Sequence, residues 1–150
     1  MHYSLQSNHA HLIVEASDQT TLGRGMMAIG ARLARAVNRI AERTGPVLAE
    51  RYHSRVLRTP REVRNALRYV LLNARRHVGA ARARLGNAVR LDPASSARWF
   101  DGWKLASAAV PNTIARSAAA HLRPVARART WLVTVGWRRH GLLDPADVPG

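Results

Sequence analysis

Apolar residues along this chain switch from an alternating to a three-or-four spacing, and that switch limits the folds open to it. HYSLQ (2–6) and HAHLIVEA (9–16) flank the polar break Ser7-Asn8, and the second run is rich in β-branched residues. They read as two short strands. From Thr20 to Glu42 the residues Leu22, Met26, Ile29, Leu33, Val37 and Ile40 recur every three or four positions, which predicts an amphipathic helix. Its other face carries Arg24, Arg32, Arg35 and Arg39, and Thr44-Gly45-Pro46 ends it. VLAERYHSRVL (47–57) alternates in part and predicts a further strand or hairpin arm bearing Arg51, Tyr52, His53 and Arg55. Thr59-Pro60-Arg61-Glu62 is a capping box with proline at the first helical position, so a second helix is expected to start sharply there and run to about His77. Val63, Leu67, Val70, Ala74 and Val78 would face its core side. The order of elements predicts an α+β domain over residues 1–80.

Beyond residue 80 the texture changes. An Ala/Arg-rich stretch leads to Asp92-Pro93-Ala94-Ser95-Ser96, then a tryptophan pair in ARWFDGWK, then Ala/Pro/Ser-rich sequence near 106–125. The expectation for 81–150 is a basic extension, partly linker, interrupted by small ordered pieces. In ARTWLVTVGWRRHGLLDPADVPG the residues Trp131, Leu132, Val135 and Leu142 are expected to pack, with Arg138, Arg139 and His140 exposed on a short docking or DNA-gripping helix.

The charge is lopsided: 24 Lys+Arg against 9 Asp+Glu, for a net +15. All the cations but Lys104 are arginine, the side chain suited to bidentate phosphate contacts. The excess is not a tail, since 1–78 holds 13 arginines and 5 acids and 79–150 holds 11 cations and 4 acids. Nucleic acid is the partner this balance favours, although a membrane surface or an acidic protein would also attract it. There is no cysteine, which excludes disulfides, thiolate metal sites and thiol nucleophiles. The start MHYSLQSNHAHLIVEA has no basic region followed by a long apolar run, and no segment approaches the ~20 apolar residues of a membrane span. A cytoplasmic protein with no membrane partner is expected.

His9-Ala10-His11 is the strongest local signal, because a strand projects alternate side chains to one face and so turns two imidazoles toward one ion. Alone, such a pair is also compatible with two half-exposed polar residues on a strand. On the capped helix Asn65, Tyr69 and Asn73 are spaced four apart and form a stripe beside the apolar one. Tyr69 alone would read as a residue at the edge of a core, and Asn73 as a surface amide. Taken with the histidines, they supply a nucleophile and an oxygen donor for phosphoryl transfer. With no cysteine and no Ser/His/Asp spacing that stands out, tyrosine is the natural covalent nucleophile for a basic protein. A phenol, with pKa near ~10 in water, is a weak nucleophile at neutral pH, so a divalent cation and arginines would have to stabilise the attacked phosphate.

At these residues the chain resembles the REP-associated branch of the single-tyrosine HUH transposases. The pieces that carry the likeness are SNHAHLIVEA, RLARAVNR, AERYHSRVLRTPREV and RNALRYVLLNARR, in that order between about Ser4 and His77. The resemblance implies a ferredoxin-like antiparallel sheet backed by helices, with His9 and His11 as metal ligands, Tyr69 as the nucleophile and Asn73 as the polar ligand one turn after it. It implies Mg2+ or Mn2+ as cofactor and single-stranded or hairpin DNA as substrate, cut and rejoined through a 5′-phosphotyrosine without ATP. Arg51 and Tyr52 match the family's Arg-Tyr pair, and Arg24, Arg55, Arg58 and Arg61 are expected to hold DNA. The setting implied is bacterial and nucleoid-associated, and a homodimer is compatible with it.

The chain departs from the family at Leu48, where an aromatic is usual, and in the Ala-Arg-Arg that follows Asn73. Relatives also carry a strand and a helix before the segment matching HYSLQSNH, so the sheet is expected to lack its first strand and to show an open edge beside the histidine strand. The alternative reading is a catalytically inactive or domesticated transposase that only binds DNA. An RNA-binding module is more distant, since it leaves the histidine pair and Tyr69 unexplained.

Overall fold

The structure, a computed structural model, describes residues 1–82, 91–104 and 125–147, with the side chains of 74–82 left out. It is α+β, and among the described residues its sheet has two antiparallel strands, β1 (His2–Leu5) and β2 (Ala10–Ile13). The helices are α1 (Gln19–Ile40), α2 (Pro60–Arg82) and the single turn α3 (Trp131–Thr134). Two 3-10 turns, Ser96–Trp99 and Gly136–His140, complete the regular structure. Among the described residues no helix is long and apolar enough to cross a membrane.

The expected strand pair forms around Ser7-Asn8, where the Gln6 amide donates to the His9 carbonyl at 2.8 Å. Register pairs His2 with Ile13, Tyr3 with Leu12, Ser4 with His11 and Leu5 with Ala10. Because side chains alternate, one face carries His2, Ser4, His11 and Ile13 and the other Tyr3, Leu5, Ala10 and Leu12. Ser4 and Ile13 are buried on the first face, whereas Leu5 on the second is exposed. The amides of Tyr3 and Leu5 point away from β2 and bond to Ser96 Oγ and the Ala94 carbonyl, both at 2.9 Å. The Asp92–Ser96 turn thus covers the outer edge of β1, while β2 has no second strand beside it among the described residues.

The capping box at the start of α2 forms as the residue types dictate. Glu62 accepts from the amides of Arg58 and Thr59 at 2.8 and 3.0 Å, and Thr59 Oγ1 accepts from the Glu62 amide at 3.2 Å, the reciprocal pattern of such a box. Val63, Leu67 and Val70 are buried as expected, and Leu71, Leu72 and Asn73 are buried as well. Ala74 and Val78 lie outside the described side chains. Burial all round at 70–73 reflects the position of α2, which packs against both strands on one side and against α3 and both 3-10 turns on others.

The described segments 91–104 and 125–147 are therefore part of the same core. Contacts divide the chain into one compact unit of Met1–Val14 with Leu57–Gly150 and another of Glu15–Val56, a partition different from the expected 1–80 and 81–150. The cause is an aromatic cluster: Phe100 stacks edge-on with Trp103 and His2, at 5.0 and 5.3 Å between centroids, and lies 5.3 Å from Trp137. Gly102 permits this, since a Cβ there would overlap the rings of Trp137 and Phe100. Trp103 Nε1 donates to the Ala97 carbonyl at 3.0 Å and Trp137 Nε1 to Val133 at 3.1 Å, so both indoles are buried with their polar edge satisfied. Arg64 on α2 donates to the Gly141 carbonyl at 2.9 Å and ties the last segment down.

Two expectations in this unit change. Leu132 and Leu142 pack as foreseen, but Trp131 and Val135 are exposed and Trp137 and Leu143 are buried in their place. The reason is a change of helical phase: α3 lasts one turn and passes into a 3-10 turn, which shifts the inward face.

In the Glu15–Val56 unit, α1 begins at Asp18, whose carboxylate accepts from the Thr21 amide at 2.7 Å, a side-chain N-cap. Its apolar stripe is only half covered, and none of its residues is buried. Leu48 approaches Gly30 closely enough that a Cβ would sit 3.1 Å from it, and the Tyr52 hydroxyl reaches Gly23. Residues 47–57 form no strand, contrary to the alternation. Partial alternation without a backbone partner is insufficient for a strand.

Two outcomes are expected. Trp137→Ala should cost ~3–5 kcal/mol in denaturant unfolding, the range for deleting a core aromatic, and a loss below ~1 kcal/mol would show that the last segment is not part of the core. The backbone bond from Thr21, then the hydroxyls of Ser17 and Thr21, hold the Asp18 carboxyl below its ordinary pKa of 3.8. Its support of the first turn of α1 is therefore present above that ordinary value and lost as pH falls through the lowered one. The protection of the Thr20–Leu22 amides, with exchange corrected for its intrinsic pH dependence, should fall on acidification in that range and be insensitive to it in Asp18→Asn.

Candidate active site

β2 and α2 bring together the residues that the sequence singled out separately. His9 and His11 project to the same face of β2, and their Nε2 atoms lie 3.1 Å apart with ring centroids 4.7 Å apart. The ring of Tyr69 packs edge-on against His11, 5.0 Å between centroids and at 77°. A strand repeat of two and a helix packed on that strand face suffice to produce this convergence.

The histidine pair is oriented from outside. Asn8 Oδ1 lies 2.7 Å from His9 Nδ1, a contact that favours the tautomer with the proton on Nδ1 and Nε2 as the acceptor. His9 Nε2 and His11 Nε2 share a hydrogen bond at 3.1 Å. A divalent cation ligated by His9 and His11 would take the place of that proton. Below the pair, Ser4 is fully buried opposite His11 in the register, and Gln6 Nε2 donates to its hydroxyl at 2.7 Å. Sequence reasoning missed both roles, although an amide directly before a His-x-His pair is a signal for the first.

Asn73 sits one helical turn beyond Tyr69 on the same stripe of α2, as a spacing of four requires. Its side chain has no solvent exposure, and among the described residues neither Oδ1 nor Nδ2 has a hydrogen-bond partner. Asn65, one turn before Tyr69, is exposed, so the stripe runs from solvent into the interior. A buried amide with both atoms unpaired costs free energy. Among the described residues no three or more of His, Cys, Asp and Glu cluster. His9, His11 and Asn73 would offer two imidazole nitrogens and an amide oxygen. That set suits a divalent cation whose remaining positions go to water and phosphate oxygens.

The six residues expected to hold DNA are all exposed. Arg58 and Arg61 flank the start of α2, while Arg24, Arg51, Tyr52 and Arg55 belong to the Glu15–Val56 unit. Compared with models of known protein families, with curated proteins and with solved structures, the chain matches none.

Asn73 separates a functional amide from a structural one. Asn73→Leu should stabilise the protein in EDTA by ~1–3 kcal/mol, the cost of an unsatisfied buried polar group, and should weaken Mn2+ binding measured by calorimetry. Destabilisation by that variant would mean that the amide is satisfied in solution.

Proposed function

We propose that this chain is a metal-dependent single-strand DNA nickase and joiner of the single-tyrosine HUH transposase type. The observation that carries the proposal is the juxtaposition of one phenol and two imidazoles: Tyr69 against His11 at 5.0 Å, and His11 against His9 at 3.1 Å.

In this reading His9, His11 and Asn73 hold Mg2+ or Mn2+. Such an ion supplies Lewis-acid stabilisation of the charge that develops on a phosphate under attack. The Tyr69 oxygen attacks phosphorus, the bond from phosphorus to the 3′-oxygen breaks, and the phenol proton is lost as the 3′-hydroxyl gains one. A 5′-phosphotyrosine and a free 3′-hydroxyl result. One phosphodiester replaces another, so the bond energy is kept and a second 3′-hydroxyl reverses the step without ATP. Asn8 orients His9, which keeps the ligand tautomer in place. Arg24, Arg51, Tyr52, Arg55, Arg58 and Arg61 supply contacts to the DNA backbone, where arginine forks match phosphate oxygens.

The strand pair with α2 on its histidine face fits half of a ferredoxin-like sheet, and the edge of β2 without a neighbour is where a further strand would extend it. Single-stranded or hairpin DNA is the substrate class, because a tyrosine fixed on a packed helix reaches the phosphate of an exposed strand more readily than one inside a duplex. The bacterial nucleoid is the corresponding location, and a homodimer is compatible with it.

Single-stranded oligonucleotides incubated with Mg2+ or Mn2+ should be nicked, with a covalent protein–DNA adduct on a denaturing gel. Tyr69→Phe should abolish the adduct and spare most binding, and His9→Ala should remove metal-dependent cleavage. An adduct formed by the phenylalanine variant would refute the nucleophile. Binding without nicking in the unaltered chain would favour a protein that only holds DNA, and displacement by RNA at equal affinity would favour an RNA-binding module.

A further inference from the structure

The described tryptophans divide into two kinds. Trp103 and Trp137 are buried and Trp99 is half-buried, whereas Trp131 is 47% exposed, with Val135, one turn along the same side of α3, 54% exposed. What sets Trp131 apart is not its exposure alone but that an exposed indole is held in place beside an arginine.

Trp131 is fixed. A Cβ on Gly136 would lie 2.7–3.0 Å from three carbons of its six-membered ring, so the indole rests directly on the backbone of the following turn. Arg139 holds its guanidinium 4.8 Å from the ring centroid. Its neighbour Arg138 is occupied otherwise, in a 3.0 Å ion pair with Asp101 and a bond from Nε to the Thr134 carbonyl. Among the described residues no carboxylate pairs with Arg139. The surrounding segment, 126–140, contains Arg127, Arg129, Arg138, Arg139 and His140 and no acidic residue. Arg127, Arg129 and His140 are exposed.

We infer that Trp131 and Arg139 form a stacking site for an unpaired base of single-stranded DNA, with Arg127 and Arg129 as contacts to the adjoining phosphates. The inference rests on the DNA reading of the proposed function and adds a binding site apart from the histidine–tyrosine centre. An indole and a guanidinium plane are the two protein surfaces on which bases stack, and neither needs a particular base. The absence of acidic residues from the segment matches a polyanion. A duplex offers no free base face, so the site discriminates for single strands. A second copy of this chain, which is itself strongly basic, would meet repulsion at the same patch.

The test uses the full chain carrying Tyr69→Phe, which prevents covalent trapping, and fluorescence anisotropy with a labelled mixed-sequence single strand of DNA and its duplex. Trp131→Ala should weaken single-strand binding roughly ten-fold and leave duplex binding unchanged. Its dependence on salt should also be unchanged, because stacking releases no counterions. Trp131→Phe should retain most of the affinity, and Arg129→Ala should lower the salt slope by about one. A thermal melt close to that of the parent is expected for each variant, since all alter exposed side chains. If the parent binds single strands and Trp131→Ala binds them equally well, the stacking site is overturned and the DNA reading stands. If the parent binds no single-stranded DNA, both fall together. Self-association in sedimentation that Trp131→Ala abolishes would make the patch an interface between copies and overturn the site.

Discussion

Burial of α2 on more than one side, at Val70–Asn73, is the constraint on which the larger unit depends. A helix with one apolar stripe needs one layer, but here Leu71 and Leu72 are as fully covered as Leu67. The strand pair cannot do this alone. Strands of four residues cover only part of a helix, and the remainder is covered by the aromatic segments beyond residue 90. Phe100, Trp103 and Trp137 bring large apolar area from short stretches of chain, and satisfied indole N–H groups let the tryptophans go inside. This is why an apparent extension belongs to the core.

The same burial sets the terms of the candidate site. Tyr69 lies at the border where α2 meets the histidine face of β2, half-covered and against His11, while Asn73 lies one turn deeper with its amide unpaired among the described residues. A chain shaped by stability alone would place an apolar residue at 73, as at 70, 71 and 72. Local rules broken without structural compensation mark functional positions in otherwise consistent sequences. Here the break falls on the residue proposed as the third metal ligand.

Legibility in the sequence followed the range of the interactions involved. The capping box at Thr59–Glu62 and the cap at Asp18 close through residues three positions apart, so residue type is enough to define them. The pairing of His9 with His11 follows from strand alternation in the same way. Residues 47–57 alternated like a strand, yet among the described residues no ladder forms there. Trp131 and Val135 had the spacing of core residues, yet a one-turn helix passing into a 3-10 turn carried them outward and took Trp137 and Leu143 inward. The cover of the β1 edge by Ala94–Ser96 was equally invisible, because it joins positions some ninety residues apart, whereas most neighbours in space are neighbours in sequence order.

By itself the sequence determined the elements with local rules behind them: two strands around Ser7-Asn8, an amphipathic helix, a sharply capped second helix, two imidazoles on one face, and a surplus of arginine throughout. Tertiary structure alone decided which of these meet. It set Tyr69 against His11 rather than against solvent, sank Asn73 below the surface, and folded the tryptophan segments onto α2. The physical reason is that caps and alternation are satisfied within a few residues, whereas burial is shared among distant segments and is settled only when all of them compete for the same apolar surface.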